Sequence, residues 1–154
     1  MANPRTALSI CMLFAILVTP APVYATASAS TSAPATYAAG MEHWTNVQRA
    51  DRNRVGLGHN HCLERMAAAQ AQRIARRGQL FHQDMTKVQQ KCGMGYAGEN
   101  IAYGFPAGRG VVRAWMHSSG HRANILKPQY RLMGAAAVRK NGMWWVSEVY
   151  GTRA

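Results

Sequence analysis

Two apolar segments near the end of the chain constrain the fold more than any other feature. Residues 132–139 and 143–150 flank Lys140-Asn141-Gly142, and an Asn-Gly pair in this setting predicts a tight β-hairpin. Apolar side chains alternate onto both faces of the second segment: Trp144, Val146 and Tyr150 on one, Met143, Trp145 and Val149 on the other. Because both faces need cover, the hairpin predicts an α+β protein built as a three-layer α/β/α sandwich.

Helical periodicity supplies the covering layers. Residues 61–77 carry apolar side chains at i, i+3, i+4 and i+7, and Gly78 follows where a C-terminal cap belongs. Residues 108–119 form a further predicted helix, with Gly120 as its end. Residues 41–54 are also predicted to be helical. In that helix the core face is assigned to Trp44, Val47 and Ala50, and other faces are assigned to Arg49, Arg52 and Arg54.

The start of the chain has the pattern of an export signal. Arg5 precedes the apolar run 7–18, which is shorter than the roughly 20 residues that a membrane-spanning helix needs. Ala25 and Ala27 then provide the small residues of a signal peptidase site. Residues 1–27 therefore predict a secretory signal peptide, with no transmembrane anchor after its cleavage and an extracellular or periplasmic destination.

A flexible linker is expected between the signal and the folded unit. Residues 28–40 carry no charge and only one large side chain, so they offer little apolar surface to bury. The folded domain is then predicted to span residues 41–154, which is enough for one hydrophobic core.

Loss of Cys11 with the signal leaves Cys62 and Cys92 as an even pair. In an exported protein such a pair predicts a disulfide, here closing a loop of about 30 residues. The alternative is a thiolate metal site built from Cys62 with His59 and His61. We favour the disulfide, because the export compartment oxidises thiols and no second cysteine lies nearby.

The charge balance points to anionic partners. Eighteen Lys and Arg residues against six Asp and Glu residues give a formal net charge of +12. Such a charge favours anionic envelope polymers or lipid surfaces. Nucleic acid is the least favoured partner, because export is predicted and the sequence contains no recognisable nucleic-acid module. Four arginines lie off the apolar stripe of residues 61–77 and are interpreted as a solvated face: Arg65, Arg73, Arg76 and Arg77.

Three motifs, read in order, resemble those of a known family. They are Phe81-His82, Gly98-Glu99-Asn100-Ile101-Ala102, and the twelve-residue segment Trp115-Met116-His117-Ser118-Ser119-Gly120-His121-Arg122-Ala123-Asn124-Ile125-Leu126. Together they resemble the exported bacterial branch of the CAP superfamily (cysteine-rich secretory proteins, antigen 5 and pathogenesis-related proteins), also called the SCP domain. Asn46, Arg49, Gly134 and Trp144 match the same pattern. The resemblance covers residues 41–151 and implies a central antiparallel sheet with a further strand near residues 99–103.

The resemblance also implies a cleft in which His82, Glu99 and His121 converge, often as a divalent-metal site. Two imidazoles and one carboxylate suit Zn²⁺ or another divalent metal, with a fourth position left for water. The second acid of the eukaryotic branch would fall at about Ser118 and is missing here. The alternative is a structural cluster in which Glu99 accepts hydrogen bonds. A local zinc site built from His117 and His121 is a weaker hypothesis.

Three functions follow as hypotheses. The first is a secreted binding module for a lipid, a sterol or an anionic envelope or host component. The second is a metal-dependent, peptidase-like hydrolase that uses His82, Glu99 and His121. The third is non-specific nucleic-acid binding. We favour binding over catalysis, because a fold resemblance does not carry an activity and the second acid is missing. Asn100 and Asn124 are interpreted as turn or cap residues.

Overall fold

The computed structural model describes residues 32–154. The predicted signal peptide, residues 1–27, lies outside the described residues, as do residues 28–31. Within the described part, no helix combines the length and the apolar character that crossing a membrane requires.

A four-stranded sheet forms the middle layer, in the order β1-β3-β4-β2. Its strands are β1 (Gly58–His59), β2 (Met94–Tyr103), β3 (Leu132–Lys140) and β4 (Met143–Arg153). The predicted hairpin is confirmed as β3–β4, and its turn residues Asn141 and Gly142 have φ values of 50° and 78°. β2 pairs antiparallel with β4, whereas the short β1 runs parallel to β3. The sheet is therefore mixed, and the expectation of a purely antiparallel sheet is wrong at this edge.

Helices cover both faces of the sheet, so the three-layer prediction is confirmed. The helices are α1 (Ala33–Ala50), α2 (His61–Arg77), α3 (Met85–Cys92), α4 (Gly108–Met116) and α5 (Ser119–Leu126). Val146 and Tyr150 of β4 pack in the core formed with α1, α4 and α5, while Val149 packs in the core beneath α2. This alternation places apolar side chains on both faces of one strand.

The linker prediction for residues 28–40 is wrong from residue 33 onward, because α1 begins at Ala33. Tyr37 holds this first part of the helix in place. Its ring lies 4.9 Å from the ring of Trp144, and its hydroxyl donates a hydrogen bond of 3.0 Å to the Phe105 carbonyl. The single large side chain of this segment, Tyr37, therefore attaches a stretch of small, uncharged residues to the rest of the domain.

The predicted core face of α1 is wrong at Val47 and Ala50, whereas Trp44 is partly buried and packs against the core. Ala50 is exposed and Val47 is only half-buried, whereas the buried residues are Tyr37, Met41, Thr45 and Arg49. The predicted end near residue 54 moves to Ala50. Polar side chains enter the core here because each finds partners: Thr45 donates to Glu148, and Arg49 donates to backbone carbonyls.

The predicted helix 108–119 is two helices. α4 ends at Met116 and α5 begins at Ser119, so Gly120 lies inside a helix and does not end one. The helix predicted at residues 61–77 is confirmed as α2, and Gly78 caps it with a φ of 65°.

The Cys62–Cys92 disulfide is confirmed, with the two Cα atoms 5.7 Å apart. It joins the first turn of α2 to the last residue of α3. The alternative thiolate site is excluded, because the Cys62 sulfur is bonded to the Cys92 sulfur.

Candidate functional site

His82 and Glu99, two of the three residues expected in the cleft, are in direct contact. Glu99 is a buried residue of β2, and His82 lies in the loop between α2 and α3. The His82 Nδ1 atom lies 2.9 Å from Glu99 Oε2. This hydrogen bond raises the pKa of His82, and partial burial of the ring opposes the shift.

Glu99 has further donors around it. Its Oε1 accepts hydrogen bonds from Gln83 Nε2 at 2.7 Å and from Ser147 Oγ at 2.9 Å. Its Oε2 accepts from the Gln83 backbone N–H at 3.3 Å as well as from His82. Both carboxylate oxygens are therefore engaged, which favours the structural-cluster interpretation of Glu99 over a free third metal ligand.

His121, the third expected residue, lies on α5 and makes a different contact. Its Nδ1 lies 2.9 Å from Ser118 Oγ, the position at which the second acid is missing. Burial lowers the pKa of His121, and the nearby positive charge of His82 lowers it further. Among residues 32–154, the possible ligand atoms of His82, Glu99 and His121 do not lie close enough together to form a compact metal-binding set. The compact set in the described residues is His59, His61 and Glu64. The metal set of His82, Glu99 and His121 stays a prediction.

The weaker hypothesis of a zinc site on one helix face assumed that His117 and His121 share a helix. His117 is the C-cap of α4, whereas His121 lies on α5.

Asn100 and Asn124 connect β2 to α5, so their interpretation as turn or cap residues is wrong. Asn124 Nδ2 donates hydrogen bonds of 3.0 Å to Asn100 Oδ1 and to the Glu99 carbonyl. Asn100 Nδ2 donates to the His121 carbonyl and to Tyr150 Oη, each at 3.1 Å. These hydrogen bonds fix the position of α5, and therefore of His121, relative to strand β2.

A buried carboxyl group behind this cluster was missed by the sequence analysis. Glu148 on β4 is fully buried, and its Oε2 accepts hydrogen bonds from Tyr150 Oη at 2.7 Å and Thr45 Oγ1 at 2.9 Å. Its Oε1 has no partner among the described residues. Burial raises the pKa of Glu148 to about 7, although both hydroxyl hydrogen bonds act in the opposite direction. The available signal was its position between Val146 and Tyr150 on an apolar face.

A recess lies between α1, α4 and α5, and we call it the Trp44 groove. Its volume is about 560 Å³. Apolar atoms of Trp44, Val112, Met116 and Leu126 line it, together with Gln48, His117 and the arginines Arg52, Arg109, Arg113 and Arg122. The Arg109 guanidinium carbon lies 4.4 Å from the centre of the Trp44 ring, a cation–π contact. Within residues 32–154, none of these four arginines forms a salt bridge with a carboxylate.

A second recess of about 540 Å³ shares Trp44 and Arg109 with the Trp44 groove. It continues along the first half of α1, where Tyr37, Pro106 and Trp144 contribute apolar surface. Together the two recesses form an aromatic and arginine-rich surface along the length of α1. No local sequence pattern marks this surface, because its residues come from three separate helices, the loop before α4 and strand β4.

The fold and motifs define a CAP domain, and the comparison of sequences agrees. The sequence profile of the cysteine-rich secretory protein (CAP) family matches residues 44–149, so the chain belongs to this family. It is 33% identical over 125 residues to the uncharacterized protein YkwD of Bacillus subtilis, covering 75% of this chain and 49% of YkwD. The chain thus spans about half the length of that relative.

Solved structures share the fold. An extracellular SCP-domain protein from Bacillus anthracis superposes with a TM-score of 0.70 at 22% identity, covering 78% of this chain and 41% of that chain. An outer surface protein from Borrelia burgdorferi superposes with a TM-score of 0.68 at 17% identity, covering 74% of this chain and 90% of that chain. The predicted α/β/α CAP fold is confirmed.

Proposed function

We propose that this protein is an exported binding module whose Trp44 groove holds an anionic amphiphile, a molecule with an acyl chain and a phosphate or carboxylate headgroup. The observation that carries the proposal is the composition of the groove. Four arginines without a carboxylate partner in the described structure surround an apolar floor. A sterol or a neutral polymer would leave these cations without a counterion.

The chemistry of each part suits such a ligand. Guanidinium groups bind phosphate and carboxylate through two parallel N–H donors. The formal net charge of +12, to which the predicted signal contributes only Arg5, attracts anions at longer range. The indole of Trp44 and the side chains of Val112 and Met116 offer apolar surface to an acyl chain. The volume of about 560 Å³ lies within the range of small-molecule sites.

Three observations support an extracellular or periplasmic location for this binding. Residues 1–27 have the pattern of a secretory signal, and the Cys62–Cys92 disulfide suits an oxidising compartment. A relative of the same fold is described as extracellular and another as an outer surface protein. The ligand would then be an envelope component such as an anionic phospholipid or lipopolysaccharide.

The cleft of His82 and Glu99 has no part in this binding. Both oxygens of Glu99 accept hydrogen bonds from protein donors, so its carboxylate is already engaged within the protein. His82→Ala should therefore leave the affinity for an anionic amphiphile within about twofold of the unsubstituted protein.

The double variant Arg109→Gln/Arg113→Gln tests the groove. We expect it to weaken binding of lysophosphatidylglycerol at least tenfold, about 1.4 kcal/mol, because two charge-assisted contacts to the headgroup are lost. Calorimetric titration measures the affinity, with the zwitterionic lysophosphatidylcholine as a second ligand that should bind more weakly to the unsubstituted protein.

The matched control is Arg65→Gln/Arg76→Gln, which removes the same charge from exposed positions on α2. This variant should bind lysophosphatidylglycerol within about twofold of the unsubstituted protein. Equal losses in the two double variants would show that net charge alone drives binding, and would overturn the assignment to the groove.

A further inference from the structure

A compact set of potential ligand atoms lies at the start of α2, far from the cleft. His59 Nε2 is 3.2 Å from His61 Nδ1, His61 Nδ1 is 3.2 Å from Glu64 Oε2, and His59 Nε2 is 3.4 Å from Glu64 Oε2. The three atoms form a nearly equilateral triangle. Two imidazole nitrogens and one carboxylate oxygen are the donors that zinc prefers in proteins.

The size of the triangle fits a tetrahedral ion. With bonds of about 2.0–2.1 Å, the ligands of a tetrahedral zinc lie about 3.4 Å apart. The observed separations of 3.2, 3.2 and 3.4 Å match that edge. The side chains of His59, His61 and Glu64 are 39%, 82% and 44% exposed, so an ion can enter from solvent and keep a fourth position for water.

A carboxylate behind His59 sets the orientation of its ring. Glu42 Oε1 lies 3.0 Å from His59 Nδ1 and also accepts a hydrogen bond of 3.0 Å from the Ala135 backbone N–H. With the Nδ1 proton held by Glu42, the Nε2 lone pair of His59 faces His61 and Glu64. Carboxylate–histidine pairs of this kind orient the ligands of metal sites and raise their basicity.

The backbone holds the three ligands before any ion binds. His61 and Glu64 lie three residues apart on the first turn of α2, which Asn60 caps by accepting hydrogen bonds from the Cys62 and Leu63 amides. The same turn packs closely against β3, where a side chain at Gly134 would overlap the Glu64 backbone. His59 is fixed by pairing of β1 with β3.

We propose that His59, His61 and Glu64 bind a divalent transition-metal ion of the zinc type, with Glu42 as the residue that positions His59. The site is separate from the cleft, since β1 and the Glu99 strand β2 are opposite edges of the sheet. It is also independent of the Trp44 groove, so either assignment stands if the other fails. A carboxylate and two imidazoles on an exposed surface select zinc, nickel or copper over magnesium or calcium.

Calorimetric titration of the purified protein with ZnCl₂ tests this site. We expect one ion per chain, with affinity at least tenfold lower in His61→Ala and 10–100-fold lower in Glu42→Gln. His43→Ala, at an exposed position on α1, is the matched control and should bind zinc as the unsubstituted protein does. Circular dichroism of each variant reports whether the fold is retained.

The double variant His82→Ala/His121→Ala separates this site from the cleft. Its zinc affinity should be unchanged. Loss of binding in that variant, retention of full affinity in His61→Ala, or absence of zinc binding by the unsubstituted protein would each overturn the proposal.

Discussion

Arg49→Met should lower the free energy of unfolding by about 3 kcal/mol or more, because buried carbonyl groups lose a charged hydrogen-bond donor. Arg49 is fully buried on α1. Its guanidinium donates to the carbonyls of Val55 at 2.8 Å, Ile125 at 2.7 Å, Lys127 at 3.0 Å and Tyr130 at 3.4 Å. Methionine fills a similar volume and donates to none of them. Arg49 thus joins α1 to the loop that follows it and to the end of α5.

Urea unfolding followed by tryptophan fluorescence measures this effect, with Arg54→Met as the control. Arg54 is an exposed arginine five residues further on, and its replacement should change stability by less than about 0.5 kcal/mol. Arg49→Lys keeps the charge but offers one nitrogen in place of three, so it should recover only part of the loss. Equal stability of Arg49→Met and Arg54→Met would contradict the role assigned to these carbonyl contacts.

Glu148→Gln should abolish the loss of folding stability that Glu148 causes as pH rises. Burial raises the pKa of Glu148 from an ordinary 4.5 to about 7 in the folded protein. Between these values the folded state holds a proton that the unfolded state has lost, so stability falls as pH rises. The contribution of the proton is complete below pH 4.5 and is lost as pH rises through about 7, a change of about 3 kcal/mol.

Glutamine mimics the protonated carboxyl group and does not titrate. Its oxygen can accept from Thr45 and Tyr150 as Glu148 Oε2 does. We expect Glu148→Gln to match the unsubstituted protein near pH 4 and to be more stable above pH 8, by up to about 3 kcal/mol. Chemical unfolding across this pH range provides the test, and comparing the two proteins cancels the titration of His82 and His121. Parallel pH profiles for Glu148→Gln and the unsubstituted protein would contradict the assignment.

The elements that sequence reasoning predicted well are those with a strong local signal. The Asn141-Gly142 turn and the alternation on β4 determine the hairpin, and the regular apolar spacing of α2 with Gly78 determines that helix. The Cys62–Cys92 pair followed from counting cysteines once the signal is removed. In each case the stabilising contacts lie within the segment or follow from its composition.

The failures share a physical cause, which is partners that are distant in sequence. The first turns of α1 depend on Trp144 and Phe105, which composition near Tyr37 does not reveal. The sequence places Arg49 outside the core, because an arginine without visible partners is expected at the surface. The carbonyl acceptors that allow its burial belong to Ile125 and Lys127, which lie 76 and 78 residues away.

The same reason limited the prediction of sites. The contact between His82 and Glu99 agrees with the expected convergence. The sequence gives no sign that Gln83 and Ser147 also donate hydrogen bonds to Glu99. From the sequence, His59 and His61 are candidate ligands together with Cys62, and are otherwise interpreted as a polar turn before a helix. Glu42, which orients His59, lies on α1, whereas His59 lies on β1, and the two side chains meet only in the folded protein.

The most direct test of the central claim locates the ligand on the protein. A lysophosphatidylglycerol carrying a nitroxide on its acyl chain broadens the NMR signals of nearby protons. We predict broadening of the Trp44 indole and the Met116 and Leu126 methyl signals, with the Trp145 indole beneath α2 unaffected. Broadening centred on Arg65 and Arg76 of α2, or no selective broadening at all, would contradict the Trp44 groove as the binding site.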